Sequence, residues 1–487
     1  MSGIAHGQTA LPFARLNRFD FMFRGLQGVS GALLPKSSQS VEDLKSLAES
    51  MSETSDSAER DSAIPAAYTY FGQFLDHEIT LDNVSKHLAK LDDPNLVPTN
   101  PDVIRQMMVN SRSPRLDLDS VYGPMPDGSP VPRDGDHLVL GKVSPAGKRP
   151  AGKDDYNDLK RKASSTNPDE DREALIGDPR NDEHLIIAQF HVAMIRAHNA
   201  LVSQGHSFNE AKKLLQQHFQ WLVIHDFLMR VADPEIVAAT LKRGHNRFYK
   251  PAPYDLYMPL EFSVAAFRFG HSLVRSSYHI NKNFPNASLG QLFALSAHSG
   301  NLNPAPEKSF PTLPENWIIE WGEFLDGGSN RARRIDSNLA DPLFELSQTD
   351  GSPLPDQPSL AARNLLRGYQ LRIPTGQAVA VSLGLPVMTP TNIEKSVTDA
   401  QAKVLRRTGF STRTPLWYYV LVENADTKRH LPDHLGPVGS TIVVEVLIEL
   451  IRQSTNSILC LPDWRPTIGS KLGIFMLRDL LALADVL

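Results

Sequence analysis

The sequence predicts a mainly α-helical fold, one large body with long irregular connections and few strands. Two observations carry this. Apolar residues recur at helical spacing over long windows, from Leu185 to Asn199, from Glu210 to Val231 and from Ser440 to Ile451. Runs with the two-residue alternation of a strand are short and scattered, and no repeat of fixed period is visible. Many of the 36 prolines fall in the irregular connections.

The 487 residues suffice for several domains, at roughly 100–200 residues each, yet no linker of shifted composition divides them. The expected organisation is an N-terminal arm over residues 1–60 and one catalytic domain over 61–487. Hydrophobic content of 41% and charged content of 22% are those of an ordinary globular protein. A net charge of −5 argues against nucleic acid as a partner. Cys460 is the one cysteine, so no internal disulfide forms. The N-terminus lacks a charged start followed by an apolar run, which leads us to expect no secretory leader. The expected location is then cytoplasmic, or outside by a non-classical route. No apolar run reaches the ~20 residues of a membrane helix. The stretch from Val443 to Ile451 is interrupted by Glu445 and Glu449 and reads as a core or amphipathic helix. Nothing here speaks to oligomeric state.

In the arm, Phe19, Phe21, Met22 and Phe23 offer apolar anchors. Residues 37–62 are rich in Ser, Asp and Glu and are expected to be exposed. Leu44, Leu47 and Met51 mark a short surface helix there. The stretch from Tyr70 to Asp82 has almost no helix breaker after Gly72. As a helix it puts Gln73, Asp76 and His77 on one face, at i, i+3 and i+4, among Phe74, Leu75 and Ile79. An acid, an imidazole and an amide set among apolar neighbours are costly to bury without a purpose. Residues 92–101 read as a loop.

Between Ser113 and Gly123, Asp117 and Asp119 alternate with apolar residues, and Ser113 and Ser120 add hydroxyls. Closely spaced oxygens on a loop suit a hard cation such as Ca²⁺. A polar turn without a metal uses the same residue types. Residues 142–171 are charged and polar and read as a surface excursion. Order returns at Gly177, where Arg180 and Glu183 lie three apart on one side of a helix start. His191 and His198 on the following helix read as structural. The stretch from Phe262 to Val274 predicts a nearly apolar helix with one imidazole, His271. That ring is either a satisfied core histidine or a ligand to a buried metal, the apolar wall then suiting a flat cofactor. Residues 290–358 are loop-rich, with Trp317, Trp321 and Phe324 marking a helix that packs inward.

Five separated stretches occur in the order found in one family. They are Gly72 to His77, Leu116 to Gly123, Gly177 to Arg180 with Glu183, Ala266 to His271, and Asn364 to Arg367. Together the chain resembles the animal-type haem peroxidases of the peroxidase–cyclooxygenase superfamily, in their bacterial form. The resemblance runs from about Pro65 to the C-terminus. It implies haem b as cofactor, hydrogen peroxide as substrate and a small electron donor: iodide, bromide, thiocyanate or a phenol.

The resemblance also implies roles. His77 and Arg180 match the histidine and arginine that act on peroxide, and Gln73 a glutamine bordering the halide site. His271 matches the iron ligand, with Asn364 accepting its Nδ1 proton. Asp76 and Glu183 match carboxylates that form esters with haem methyl groups. Arg268 and Arg367 match arginines near the propionates and the proximal side. Ser113, Arg115 through its carbonyl, Asp117, Asp119 and Glu78 match a calcium site. There Glu78 replaces the more usual aspartate and is one methylene longer. His184 stands where one mammalian relative has a methionine sulfonium link, so at most two covalent links are implied. The implied reaction is peroxide reduction through a ferryl intermediate. A fatty-acid dioxygenase of the same superfamily and a non-catalytic haem-binding protein are the alternatives. The first is disfavoured because Arg268 occupies the place of its radical-forming tyrosine.

Overall fold

Helices form where apolar stripes meet capping residues. The computed structural model describes residues 17–487 except 54–56, 83–87, 126, 147–156, 164, 166–170, 253–254, 295–311, 347–355 and 427–432. Its helices in the first half are α1 (Ser38–Glu49), α2 (Ala67–Ile79), α3 (Pro101–Met107), α4 (Asp119–Tyr122), α5 (Leu185–Ser203), α6 (Phe208–Leu222), α7 (Leu228–Val231) and α8 (Pro234–Arg243). In the second half they are α9 (Leu289–Phe293), α10 (Leu360–Gln370), α11 (Gly376–Leu383), α12 (Pro390–Lys395), α13 (Asp399–Thr408), α14 (Leu416–Val422), α15 (Pro437–Arg452) and α16 (Leu477–Leu483). Ser37, Asp233, Thr375 and Thr398 cap the starts of α1, α8, α11 and α13 with side-chain oxygens. Strands are short. The largest sheet sets Asn17–Asp20 between Val109–Asn110, antiparallel, and Tyr257–Pro259, parallel.

Helix α5 is the axis of the core. It packs against α2, α6 and α16, and Leu185 to Met194 are buried without a break. By length and composition it is long and apolar enough to cross a membrane, but 78% of its apolar window is buried inside the protein. Helix α15, with Glu445 and Glu449 both buried, is likewise a core helix. The Glu445 carboxylate accepts the backbone N–H groups of Arg247, Phe248 and Tyr249, which answers its burial.

Several sequence expectations change. From Asn17 on, the residues expected in an arm pack into the body: Phe19, Phe21, Leu44, Leu47 and Met51 are buried. Helix α1 is present, but its apolar face lies on α10 and α13 rather than on the surface. Three apolar residues on one stripe have more to gain from burial than the neighbouring serines lose, at about 25 cal/mol per Å². Residues 262–274 are helical but irregular. A π turn over Glu261–Ala265 gives way to a 3₁₀ segment over Ala266–Leu273, with the break at Ala265 (φ −128°, ψ −76°). Trp317 and Trp321 to Phe324 form two separate 3₁₀ turns. Much of the excursion at 142–171 lies outside the described residues. Its flanks, Leu140–Lys142 and Asn157–Leu159, pair antiparallel.

Close packing makes one position intolerant. A Cβ on Gly376 would lie 2.0 Å from Cγ of Tyr419, the near end of a fully buried ring on α14. Gly376→Ala is expected to destabilise the protein by about 1–3 kcal/mol. A lowered urea midpoint with unchanged slope is the signature, and an unchanged midpoint counts against this packing.

Candidate active site

Helix α2 carries Gln73, Asp76 and His77 on one face, as their spacing requires, and turns His77 inward to 5% exposure. The 3₁₀ turn Pro179–Asp182 is set against it. Asp178 caps that turn by accepting the N–H of Arg180. Its buried carboxylate also takes Nη2 of Arg180 at 2.7 Å and Nε of Arg112 at 2.9 Å. Burial opposes this charge, but the two guanidinium groups outweigh it and hold Asp178 far below the usual carboxylate range. Two cations against one anion leave the cluster positive. Arg180 in turn donates to the carbonyls of His77 and Thr80, which ties the turn to the C-terminal end of α2.

Asn181 lies between two imidazoles. Its Oδ1 is 2.9 Å from Nδ1 of His77, and its Nδ2 is 3.1 Å from Nδ1 of His191. An amide oxygen only accepts, so His77 carries its proton on Nδ1 and turns Nε2 toward Glu183, whose Oε1 is 3.6 Å away. Burial pushes the Glu183 carboxyl up to about 7, against the pull of Arg180. Gln73 donates to the same oxygen at 2.6 Å. Asp76 is also raised by burial, against Arg180 and Arg268.

His271 is half-buried on the 3₁₀ segment, which packs on α2. Burial, with Arg268 and Arg363 nearby, lowers its pKa to about 3, so the ring is neutral. Asn364 on α10 supports it. Arg268 donates Nη1 to Oδ1 of Asn364 at 2.6 Å, and Nδ2 of Asn364 faces Nδ1 of His271 at 2.8 Å. A guanidinium only donates, so the oxygen is drawn to Arg268. The amide nitrogen, rather than the expected oxygen, is turned to His271. Arg268 is lowered to about 10 by burial, partly offset by Asp76 and reinforced by Arg367 and Arg363. Burial also lowers Arg363 and Arg367. Arg367 donates to Gln370.

The oxygens expected to hold calcium are placed otherwise. Glu78 turns both oxygens onto backbone N–H groups of α4, those of Asp119 and Ser120. Asp117 accepts the N–H and hydroxyl of Thr455, and the Arg115 side chain donates to the carbonyl of Gln453. Among the described residues no group of three or more His, Cys, Asp or Glu is gathered as a metal would need. The extra methylene of Glu78 carries its carboxylate to the start of α4. Burial and then the neighbouring Asp119 charge push Glu78 up to about 8, and burial and Asp117 raise Asp119, so these carboxylates remain close together.

Sequence reasoning passed over several residues. Asp178, Asn181, His184 and His191 matter through partners on other elements. His191, expected to be structural, is one link from His77, whereas His198 bonds only to Tyr122 and the carbonyl of Asp136 among the described contacts. Arg363 had a local signal, an arginine pair at i, i+4 with Arg367 beside Asn364.

The site thus has two imidazoles on elements packed against each other, one backed by an amide and arginine and one beside a buried cationic cluster. The animal haem peroxidase family model matches residues 97–389, more than half of the chain, and the chain belongs to that family. The segment with Gln73 and His77 precedes the matched region. A peroxidase-like protein of Margaritifera margaritifera is 29% identical over 220 residues, covering 41% of this chain and 26% of that protein. A human protein described as a probable oxidoreductase is 31% identical over 130 residues, 24% of this chain and 8% of that one. The chain therefore spans only 26% and 8% of the length of these two curated relatives. In structure it is similar to peroxidase A of Dictyostelium discoideum, with TM-score 0.56 and 17% identity, covering 93% of this chain and 89% of that one. A fatty acid alpha-dioxygenase of Oryza sativa gives TM-score 0.56 at 13% identity, covering 86% and 74%. These two likenesses concern the fold.

The raised carboxyl of Glu183 gives a pH dependence. Between the ordinary carboxyl value of 4.5 and about 7, the folded chain holds a proton that the unfolded chain releases. Stability therefore falls as pH rises through that window. Glu78, Glu261 and Glu423 are raised by burial as well, so in the haem-free chain Glu183→Gln is expected to make the fall of the urea midpoint across that window less steep. An equally steep dependence in the variant counts against the shift.

Proposed function

We propose that this chain is a haem-dependent peroxidase that reduces hydrogen peroxide and oxidises a small donor such as iodide, bromide, thiocyanate or a phenol. The observation that supports this most is the pairing of His271, held by Asn364 and Arg268, with His77 on the helix packed against it.

The residues fit a haem. A neutral imidazole at His271 suits iron. Arg268, Arg363 and Arg367 are cations depressed by burial, with Arg268 also pressed by the other two, as suits a pair of propionates. When bound, the haem supplies the redox chemistry. His271 would hold the iron through Nε2 and would then carry its ring proton on Nδ1, which would call for an oxygen facing it. A turn of the Asn364 carboxamide brings Oδ1 there, and the Arg268 bond resists that turn. His77 takes a proton from one peroxide oxygen at Nε2 and returns it to the other, because Asn181 occupies Nδ1. The Arg112–Asp178–Arg180 cluster holds positive charge beside His77, where negative charge develops as the O–O bond breaks. In this reading Asp76 and Glu183 supply the carboxyls for ester links to the haem, which form only on peroxide treatment. No step is assigned to calcium.

Dioxygenase neighbours keep a second reading in view. In it a tyrosine stands three residues before the proximal histidine; here Arg268 is there, engaged with Asn364. Oxygen uptake with linoleate in place of peroxide turnover is the outcome that favours it.

Two measurements test the proposal. His77→Ala is expected to keep the Soret band of haem-loaded protein and to slow the peroxide step by ~10²–10⁴. Unchanged stopped-flow kinetics refute the role. After peroxide treatment, acid-acetone is expected to leave part of the haem on the protein, and complete extraction means that Asp76 and Glu183 form no ester.

A further inference from the structure

His184 begins a chain of hydrogen bonds in which every direction is determined. The backbone N–H of Ile187 donates to its Nδ1 at 3.3 Å, so in the neutral ring the proton sits on Nε2. Burial lowers the pKa of His184 to about 3, which keeps the ring neutral. Tyr70 and Phe293 meet it edge-on and fix its plane. Nε2 donates to Oε1 of Gln73 at 2.8 Å, and Nε2 of Gln73 donates to Oε1 of Glu183 at 2.6 Å. Turning the Gln73 amide over would set donor against donor at His184 and oxygen against carboxylate at Glu183. A backbone N–H at one end and a carboxylate at the other therefore allow one orientation.

We propose that His184 is a positioning residue which, acting through Gln73, keeps an amide N–H on the Glu183 carboxylate that stands beside His77. Its consequence for turnover rests on the peroxidase reading; the hydrogen bonds do not. Glu183 is also faced by Arg180, Asp178, Asp76, His77 and Arg363. Of its hydrogen-bond donors, Gln73 is the one His184 controls. While Glu183 is a free carboxyl, before any ester to the haem forms, withdrawal of the N–H makes it hold its proton to higher pH and offer it to Nε2 of His77, the atom that must accept one from peroxide.

His184 also caps α5, so the test separates the two roles. His184→Asn keeps a capping oxygen for Ile187 but falls short of Gln73. His184→Gln restores an N–H donor that reaches it. In the haem-free chain, the ¹³C carboxyl resonance of Glu183, assigned by its loss in Glu183→Gln, is titrated. His184→Asn and Gln73→Leu are each expected to raise its midpoint by roughly one pH unit, without adding to one another when combined. His184→Gln is expected to titrate like the unmodified chain. A shift in Gln73→Leu but none in His184→Asn overturns the proposal, as does no shift in either. Should His184→Asn fail to fold, the ¹⁵N shifts of His184 in the unmodified chain decide: a proton on Nε2 supports the chain of bonds, and one on Nδ1 overturns it. In haem-loaded protein, His184→Asn is expected to move the pH profile of the peroxide step. If the carboxyl midpoint shifts while the protein binds no haem, the positioning stands and the peroxidase reading fails.

Discussion

The buried carboxylate of Asp178 is the interaction on which the site depends. It has no exposed surface, and two guanidinium groups, from Arg112 and Arg180, share it. Removing one partner from a buried ion pair typically costs about 3–5 kcal/mol, because the other is left uncompensated. Here the loss would spread further. Asp178 caps the turn that carries Arg180, Asn181 and Glu183, and Arg180 closes the last carbonyls of α2. One charge thus sets both the height of the turn and the end of the helix that presents His77.

Around that anchor the site is specified by which atoms donate and which accept. Amides sit at the junctions: Asn181 between His77 and His191, Gln73 between His184 and Glu183, and Asn364 between Arg268 and His271. An amide offers one accepting and one donating edge, so it transmits orientation from one neighbour to the next. Low dielectric strengthens each such bond and penalises any left unmade. This is how a buried cluster of ionisable groups remains ordered. The family holds proteins described as peroxidase-like or as a probable oxidoreductase, and the fold is shared with dioxygenases. A fold shared this widely leaves the chemistry to the side chains of the site and not to the helical frame.

How much was legible in the sequence follows from range. Gln73, Asp76 and His77 share a face because helical geometry puts i, i+3 and i+4 together, and α2 forms over that stretch. Arg180 and Glu183 were legible for the same local reason. Asn181 and His184 were not, since each matters through a contact with α2, more than 100 residues earlier, and His191 joins them only through Asn181. At the expected calcium loop, spacing lists the oxygens but does not say that the Glu78 carboxylate meets the N–H groups of Asp119 and Ser120. The surface reading of α1 failed because composition averages a stripe of leucines with the serines beside it.

By itself the sequence determined the helical class, the core helix α5, the polar face of α2 and, through its ordered motifs, the kinship of the chain. Those are matters of period and local composition, which a linear chain carries in full. Only the tertiary structure decided the tautomers, the engagement of Arg268 with Asn364, the grip of Asp178 and the diversion of Glu78 to a helix start. Each of these depends on the direction of hydrogen bonds, most of them between residues far apart in the chain, and direction exists only once the partners are brought together in space.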